Sequence, residues 1–558
     1  MIIQRRAPSA ARSKDWASLV ILAFAIATAV VALLIPIYSD EIAIQMARAR
    51  FLIEGGALLN LFPQCRPLLA AIPASWYPGA VFNAIVYSDA TGIGLRIRGI
   101  ALCTAWLLLL WVWAGRHPQT LVPRRRFQAL ILSFNLLGVL PFVLVLARSE
   151  QLLVLGLVAH CMLALFWPAK ASDGLLMKSL KCAALFLMGS VFLLTHPKAL
   201  FFAPVVVAST WLVFRDAGRL WAAGAMLVTG FAIFQSFQYA QLSASCAGAP
   251  EMAKVLAQHT LDFRLLASDK PALLREALRN LTSSLGLVMD RMPVTTAYQS
   301  SWLPAIQSEW MAPWLNRFGM LLKASLYALA LTLLVAAVLR FAVQVAGKRL
   351  DRTVLLGIAL VAGLVLHGTV YNPSAWHFYT PGLIVPALVV LLLLVLPAAM
   401  TAPNWMRSAS GAFACYWMLL AMASMVLLLA LQTPELLRIA RTGDAVIVGQ
   451  PLSTPAFVRE EQRARLFALA KRCDIKDGDD RLVLDGGAYF HFQRGRQPIN
   501  VFYVSDYAFG MDIGPKLPEF LKNLDSGGVL SRCEYLTKAL RDKATVSGQM
   551  CCVSKADF

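Results

Sequence analysis

Charged side chains are scarce in this sequence. Asp, Glu, Lys and Arg make up 15% of the 558 residues, whereas 58% of the residues are hydrophobic. Ordinary soluble domains carry roughly 25% charged and 45–50% apolar residues. Acidic side chains are the scarcer sign, with 31 against 51 basic ones. This composition excludes an ordinary soluble globular protein.

Motifs of the common soluble enzymes are also lacking. The sequence contains no glycine-rich P-loop, no G-x-S-x-G elbow and no H-E-x-x-H motif, so it has no signature of a P-loop ATPase, an α/β-hydrolase or a zincin. Its ten cysteines form no repeated C-x-x-C and have no spaced histidine partners, which argues against a zinc site. We therefore expect no bound metal from these residues.

The hydrophobic residues are grouped in blocks of about 20, the length that a helix needs to cross a bilayer. The first block runs from Trp16 to Ile37, and further blocks lie near residues 95–115, 128–147, 152–168, 180–195, 199–214, 220–240, 319–341, 353–370, 381–398 and 410–431. The pattern predicts an α-helical polytopic membrane protein with about 11 transmembrane helices.

The basic residues predict the orientation. Lys and Arg lie in short runs before the first block and in alternate loops, as the positive-inside rule requires. The net charge of +20 is therefore explained by topology, and we expect no nucleic-acid partner. The N-terminus should be cytoplasmic and, with an odd number of spans, the C-terminus exported. We interpret residues 72–87 as interfacial, because a crossing there would invert the orientation downstream.

The predicted domains are a transmembrane part, 1–431, with exported loops 38–94 and 241–318, and an exported α/β domain, 432–558. Within the latter, 457–473 and 517–524 read as helices, and 481–485 and 499–504 as strands. Six cysteines fall in exported segments, where disulfides form. A bond from Cys473 or Cys533 to Cys551 or Cys552 is compatible with the sequence, which does not fix the pairing.

Charged residues lie at three predicted exported ends of spans, and each group has a functional and a structural interpretation. Asp40 and Glu41 follow the first span and suit a general base, or else they cap a helix. Arg148 and Glu150 lie in a short link, where they bind a phosphate or pair with each other. Lys198 runs against the charge bias and suits a phosphate partner, or else it snorkels to the interface.

Further polar residues accompany these on the exported side. Arg96 opens the second span and either holds a phosphate or anchors the helix. His196 precedes Lys198. His377 and Tyr379 lie in a short turn, where aromatic residues form an interfacial belt or line a sugar pocket. Two histidines alone do not make a metal site.

Together these segments resemble the GT-C class of membrane glycosyltransferases, in the style of bacterial aminoarabinose transferases and protein O-mannosyltransferases. The resemblance covers about residues 10–400, and the exported C-terminal domain also looks like those of many members. It rests on Asp40-Glu41, Arg96, Arg148-Ser149-Glu150 and the runs LTHPKALFFAP and WHFYTPGLIVP.

This resemblance implies a reaction and a set of roles. A sugar would pass from a polyprenyl-phosphate donor, met in the membrane lipid, to a glycan, lipid or protein acceptor on the periplasmic side, with inversion. Asp40 would be the general base, oriented by Glu41. The other implied roles are donor-phosphate binding by Lys198, His196, Arg96 and Arg148, and a substrate pocket with Glu150, His377 and Tyr379. Some members use a divalent metal, and nothing in this sequence demands one.

The bacterial relatives imply a bacterial inner membrane. Two alternatives stay open, a lipid-linked sugar transporter or flippase and a polysaccharide polymerase or ligase. A transporter should keep ionisable residues deep within its spans, whereas here they cluster at exported ends. A polymerase should rely on basic residues of large exported loops, without a base after the first span.

Overall fold

The computed structural model describes residues 16–38, 41–42, 86, 91–117, 122–244, 260–298, 302–306, 308–348, 350–372, 378–396, 404–442, 454–457, 459–504 and 517–558. Asp40, His377 and most of the predicted exported loop 38–94, with its interfacial segment, lie outside these residues. Their predicted roles stay predictions.

The first part of the chain is helical. In order, its described helices are α1 Trp16–Ala32, α2 Gly92–Arg116, α3 Arg124–Ser133, α4 Leu140–Val143, α5 Ser149–Phe166, α6 Leu175–Thr195, α7 Ala203–Phe214, α8 Arg219–Ala244, α9 Leu265–Ser268, α10 Lys270–Asp290, α11 Ala312–Ala346, α12 Arg352–Val370, α13 Pro381–Val395 and α14 Asn404–Thr442. A 3-10 helix, Pro197–Phe202, leads into α7.

The apolar outer surface of these helices identifies a membrane protein. Within the described ranges, eight helices are long and apolar enough to cross a bilayer, and α1 and α13 contribute shorter apolar helices. Leu176, Leu220 and Leu227 are each more than three-quarters exposed. Soluble proteins rarely leave such apolar surface in water, whereas lipid covers it without penalty.

The block at 128–147 is not one helix, which corrects the predicted span. After α3 the chain makes a 3-10 turn, and Gly138 adopts a positive φ of 53°. Val139 donates to the carbonyl of Met292 (2.9 Å), and a Cβ at Gly138 would lie 1.8 Å from that oxygen. Only glycine fits this left-handed, closely approached position. The run is therefore apolar throughout but turns in its middle.

Loops predicted to be cytoplasmic meet at one end of the bundle. Arg352 donates to Asp216 Oδ2 (2.8 Å) and to the carbonyl of Ala164 (3.2 Å). The start of α12 therefore lies beside the ends of α5 and α7. This agrees with the alternation of the predicted spans, while the side of the membrane that these loops face stays a prediction.

The C-terminal part is a small α/β domain. Its strands are β1 Val483–Leu484, β2 Ile499–Asn500, β3 Gly528–Arg532, β4 Thr545–Ser547 and β5 Met550–Ser554, and its helices are α15 Glu460–Arg472, α16 Gly486–Tyr489, α17 Leu517–Asn523 and α18 Lys538–Arg541. The sheet order is β2-β1-β3-β5-β4. β1 is parallel to β2 and β3, whereas β5 is antiparallel to β3 and β4.

This domain corrects part of the predicted pattern. The predicted strand 499–504 is a strand only as far as Asn500 and then becomes a 3-10 turn. The last long helix, α14, continues to Thr442, past the boundary predicted at residue 431. Two disulfides join Cys473 to Cys552 and Cys533 to Cys551, so each cysteine of the terminal pair has its own partner.

Candidate active site

Glu41 and Arg96 form a buried ion pair between the first two helices. Arg96 donates from Nη1 to Glu41 Oε1 (2.6 Å) and from Nη2 to Glu41 Oε2 (2.9 Å), and neither side chain is exposed. Arg96 also donates from Nε to the carbonyl of Ile35 (2.9 Å) and from Nη2 to that of Pro36 (2.5 Å). All three of its nitrogens are thus bonded within the protein. Arg96 therefore holds the end of the first span, as the second of its two readings expected, and its phosphate-binding role stays a prediction.

Glu41 also caps the turn that follows this span. The carbonyl of Tyr38 accepts hydrogen bonds from the N–H groups of Glu41 (3.0 Å) and Ile42 (3.4 Å), and the N–H of Tyr38 donates to Glu41 Oε2 (2.9 Å). The bond from the Tyr38 N–H to the Glu41 side chain is the glutamate half of a capping box, and the Tyr38 carbonyl closes the turn. The predicted helix cap at Asp40 lies outside the described residues, and these bonds join Tyr38 and Glu41 on either side of it.

The same carboxylate reaches the segment before α5. The N–H of Ala147 donates to Glu41 Oε1 (2.6 Å). α2 packs closely on this segment, because a Cβ at Gly99 would lie 2.0 Å from the carbonyl oxygen of Val145. The buried ion pair therefore positions the main chain that carries Arg148.

Arg148, Glu150 and Lys198 form a second buried cluster. Glu150 Oε1 accepts from Lys198 Nζ (3.0 Å), and Glu150 Oε2 accepts from Arg148 Nε (3.2 Å). Each side chain is about 95% buried. Burying charges is costly unless they are paired, and this triad has two positive charges for one negative. The carboxylate of Glu150 thus holds two cations side by side at this place.

Local structure explains how these side chains meet. Glu150 lies in the first turn of α5, where the helix dipole favours a carboxylate. Lys198 lies in the first turn of the 3-10 helix, whose first residue, Pro197, suits a helix start. The N–H of Lys198 donates to Nδ1 of His196 (3.1 Å), so this histidine sets the direction of the turn.

Two tyrosine rings lie against the cations. The Cζ atom of Arg148 is 3.4 Å from the ring centre of Tyr379, and the Nζ atom of Lys198 is 4.8 Å from it. Lys198 is also 4.9 Å from the ring centre of Tyr371. Aromatic faces attract such cations, more strongly where water is excluded. The structure thus brings together Arg148, Glu150, Lys198 and Tyr379, with His196 beside them.

Arg291 is a neighbour that the sequence did not reveal. It follows α10, in the second predicted exported loop, and only 8% of it is exposed. Burial lowers the pKa of Arg291, an effect that the nearby groups of Tyr38, Asp290 and Tyr379 partly offset. Arg291 is therefore within electrostatic reach of Tyr38, two residues before Asp40, and of Tyr379. Its loop contains several other basic residues, and no sequence motif distinguishes Arg291 from them.

An aromatic layer joins the first loop to the turn before α13. Phe378 stacks on Trp302, with ring centres 5.0 Å apart, and meets Tyr38 edge-on at 4.8 Å. Apolar ring faces of this kind suit the carbon skeleton of a lipid or a sugar. In the part of the chain that the structure describes, no three His, Cys, Asp or Glu side chains gather as metal ligands.

Comparisons with known proteins place the chain only distantly. No protein-family model matches it, and no curated protein matches its sequence. Two structures of the oligosaccharyltransferase AglB from the archaeon Archaeoglobus fulgidus are similar, with TM-scores of 0.42 and 0.40 and identities of 12% and 11%. Each match covers 94% of this chain and 70% of the other. One structure contains an inhibitory peptide and a dolichol-phosphate, and the other a tethered acceptor peptide. Such distant similarity does not assign an activity, so the proposal below rests on the contacts of this chain.

Proposed function

We propose that this protein is a membrane glycosyltransferase that moves a sugar from a polyprenyl-phosphate donor to an acceptor on the exported side, with inversion. One observation carries the proposal. Lys198 and Arg148 both bond the carboxylate of Glu150 and lie against the ring of Tyr379, at the end of an apolar helix bundle. Two buried cations held side by side at that place suit a phosphate that is carried on a membrane lipid.

The chemistry of the transfer explains the need for these cations. The bond between the anomeric carbon and the phosphate oxygen breaks, and the lipid phosphate leaves with both electrons. Preorganised cations stabilise that developing negative charge most strongly where water is excluded. Lys198 offers a compact charge and Arg148 a planar group of donors, and Glu150 keeps both in place before the donor binds.

The acceptor must lose a proton in the same step. We propose that Asp40 takes the proton of the acceptor hydroxyl, whose oxygen then attacks the anomeric carbon from the face opposite the leaving phosphate. Glu41 and Glu150 are poorly suited to this role, because each already accepts hydrogen bonds or ion pairs from positively charged side chains. Tyr379 and His377 are proposed to line the sugar pocket.

A transporter of lipid-linked sugars is the main alternative. The described charged residues of the spans lie towards helix ends rather than along a central path. This distribution favours chemistry at one membrane face over passage through the bilayer.

The proposal is tested first at Lys198. In liposomes with polyprenyl-phosphate sugars and envelope acceptors, Lys198→Gln should lower sugar transfer by about 10²-fold, the scale of losing one stabiliser of transition-state charge. Lys198→Arg keeps the charge and is the matched control. Equal transfer by the wild type and Lys198→Gln would contradict the site. Donor translocation without any transfer would instead support the transporter.

Arg291→Gln provides a second, smaller prediction. If its charge helps to hold the donor phosphate, transfer should fall about tenfold, the lower end for losing a hydrogen bond to a charged group. Arg279→Gln is the matched control, because Arg279 lies on the exposed face of α10. The rates of both variants should be measured at the same donor concentration. A similar loss in both variants would mean that only the surface charge of the loop matters.

A further inference from the structure

The C-terminal sheet has two different apolar faces. Side chains of successive strand residues point to opposite faces. Leu484, Leu530 and Cys552 belong to one buried cluster, whereas Val529 and Cys551 belong to another. The domain therefore has an apolar layer on each side of its sheet.

One of these layers is shared with the membrane part. The cluster that contains Leu484 and Cys552 also contains residues from the first, second and fifth helices and their loops, namely Ile37, Ile42, Leu95, Ala147 and Leu152. Ile42 lies two residues after Asp40, and Ala147 directly precedes Arg148. Among the residues that the structure describes, the opposite layer contains side chains of the C-terminal domain.

Main-chain contacts fix this arrangement. Ile37 and Thr454 form an antiparallel bridge, in which each N–H donates to the other's carbonyl (2.7 and 2.9 Å). A Cβ at Gly92 would lie 2.8 Å from the carbonyl oxygen of Ala456. We call these four residues, together with Ile42, the docking seam.

We propose that the C-terminal domain is a fixed positioning element of the candidate active site, docked on the membrane part of its own chain through the docking seam. The seam holds both ends of the short segment that carries Asp40, and the shared layer holds the residue before Arg148. The effect on catalysis rests on the proposed function, whereas the docking itself does not. The C-terminal domain is accordingly no freely tethered accessory.

The two disulfides give a matched pair of probes. Cys473–Cys552 lies in the shared layer, with both residues buried there. Cys533–Cys551 lies in or against the opposite layer. Both close loops within the same small domain, with sequence separations of 79 and 18 residues, and they stabilise opposite faces of its sheet.

Docking is tested without any substrate. In the full-length protein in liposomes, Ile37→Cys with Thr454→Cys should form a cross-link under copper-catalysed air oxidation, because bridge partners lie about 5.5 Å apart, within disulfide range. Ile37→Cys with Phe457→Cys is the control. Cross-linking is scored by joined peptides after proteolysis. A cross-link no greater than that of the control would overturn the docking.

Catalytic positioning is tested separately. Cys473→Ser with Cys552→Ser should lower kcat about tenfold or more, because small misplacements of reacting groups reduce rates steeply, while KM for the donor stays unchanged. Cys533→Ser with Cys551→Ser should keep both constants. The cross-linked protein should transfer sugar at least as fast as its reduced form. Equal kcat values in the two disulfide variants, or loss of activity on cross-linking, would overturn the positioning role.

Discussion

Asp40→Asn is expected to lower sugar transfer by about 10²–10⁴-fold, the contribution of a positioned general base. The amide has nearly the shape of the carboxylate but does not accept the acceptor's proton. The fold should persist, because Tyr38 and Glu41, which enclose this position in the sequence, are held by their own hydrogen bonds. Donor binding should be unchanged, since the phosphate is assigned to Lys198 and Arg148.

This prediction is checked by transfer rates in liposomes at saturating donor, with donor binding measured in parallel. Asp262→Asn is the matched control, because Asp262 is a partly exposed carboxylate in the other predicted exported loop and pairs with its neighbour Arg264. Asp40→Glu should retain part of the activity if a carboxylate is required. Full transfer by Asp40→Asn would remove Asp40 from the chemistry.

Arg96→Leu is expected to destabilise the protein by about 3–5 kcal/mol, the usual result of removing one partner of a buried ion pair. The change leaves the carboxylate of Glu41 buried without its counter-charge and deprives the carbonyls of Ile35 and Pro36 of a donor. The loss should appear as a lower midpoint of unfolding in detergent or lipid. It should occur whether or not a donor is bound.

A double-mutant cycle separates this pair from general packing. Glu41→Leu and Arg96→Leu should each be strongly destabilising, whereas the double variant should be less destabilised than the sum of the two. Arg98→Leu is the matched control, because Arg98 is two residues away and only partly buried. Similar destabilisation by Arg96→Leu and Arg98→Leu would show that Arg96 is an ordinary helix anchor.

The sequence predicted the features that depend on local composition. Apolar blocks of membrane-spanning length and a change to a charged α/β domain are both visible in single segments, and the structure contains helices and a sheet there. The prediction of one continuous span at 128–147 was wrong, because a hydropathy pattern does not reveal a turn within an apolar run. Gly138 bends the chain to meet the carbonyl of Met292, which lies in a distant loop.

In the candidate site, too, contacts between residues close in sequence were easier to predict than contacts between distant residues. Arg148 and Glu150 are close in sequence, so their pairing was one of two predicted possibilities. Lys198 was singled out separately, because a lysine in a predicted exported segment runs against the positive-inside charge bias. The pairing of Arg96 with Glu41 was not predicted, because the two residues lie 55 positions apart in the sequence. Arg291 carried no signal at all, since only tertiary packing brings it near Tyr379.

The bridge between Ile37 and Thr454 also sets an order of events during biosynthesis. The chain is synthesised from its N-terminus, so Ile37 is made long before Thr454, its bridge partner. Contacts of such sequence separation form late, because closing the intervening loop is entropically unfavourable until other packing is complete. A chain whose synthesis is incomplete can insert its helices in the bilayer, but the segment after its first helix then lacks the contacts of the docking seam. Assembly thus delays the maturation of the proposed enzyme until the α/β domain that carries Thr454 has folded and docked.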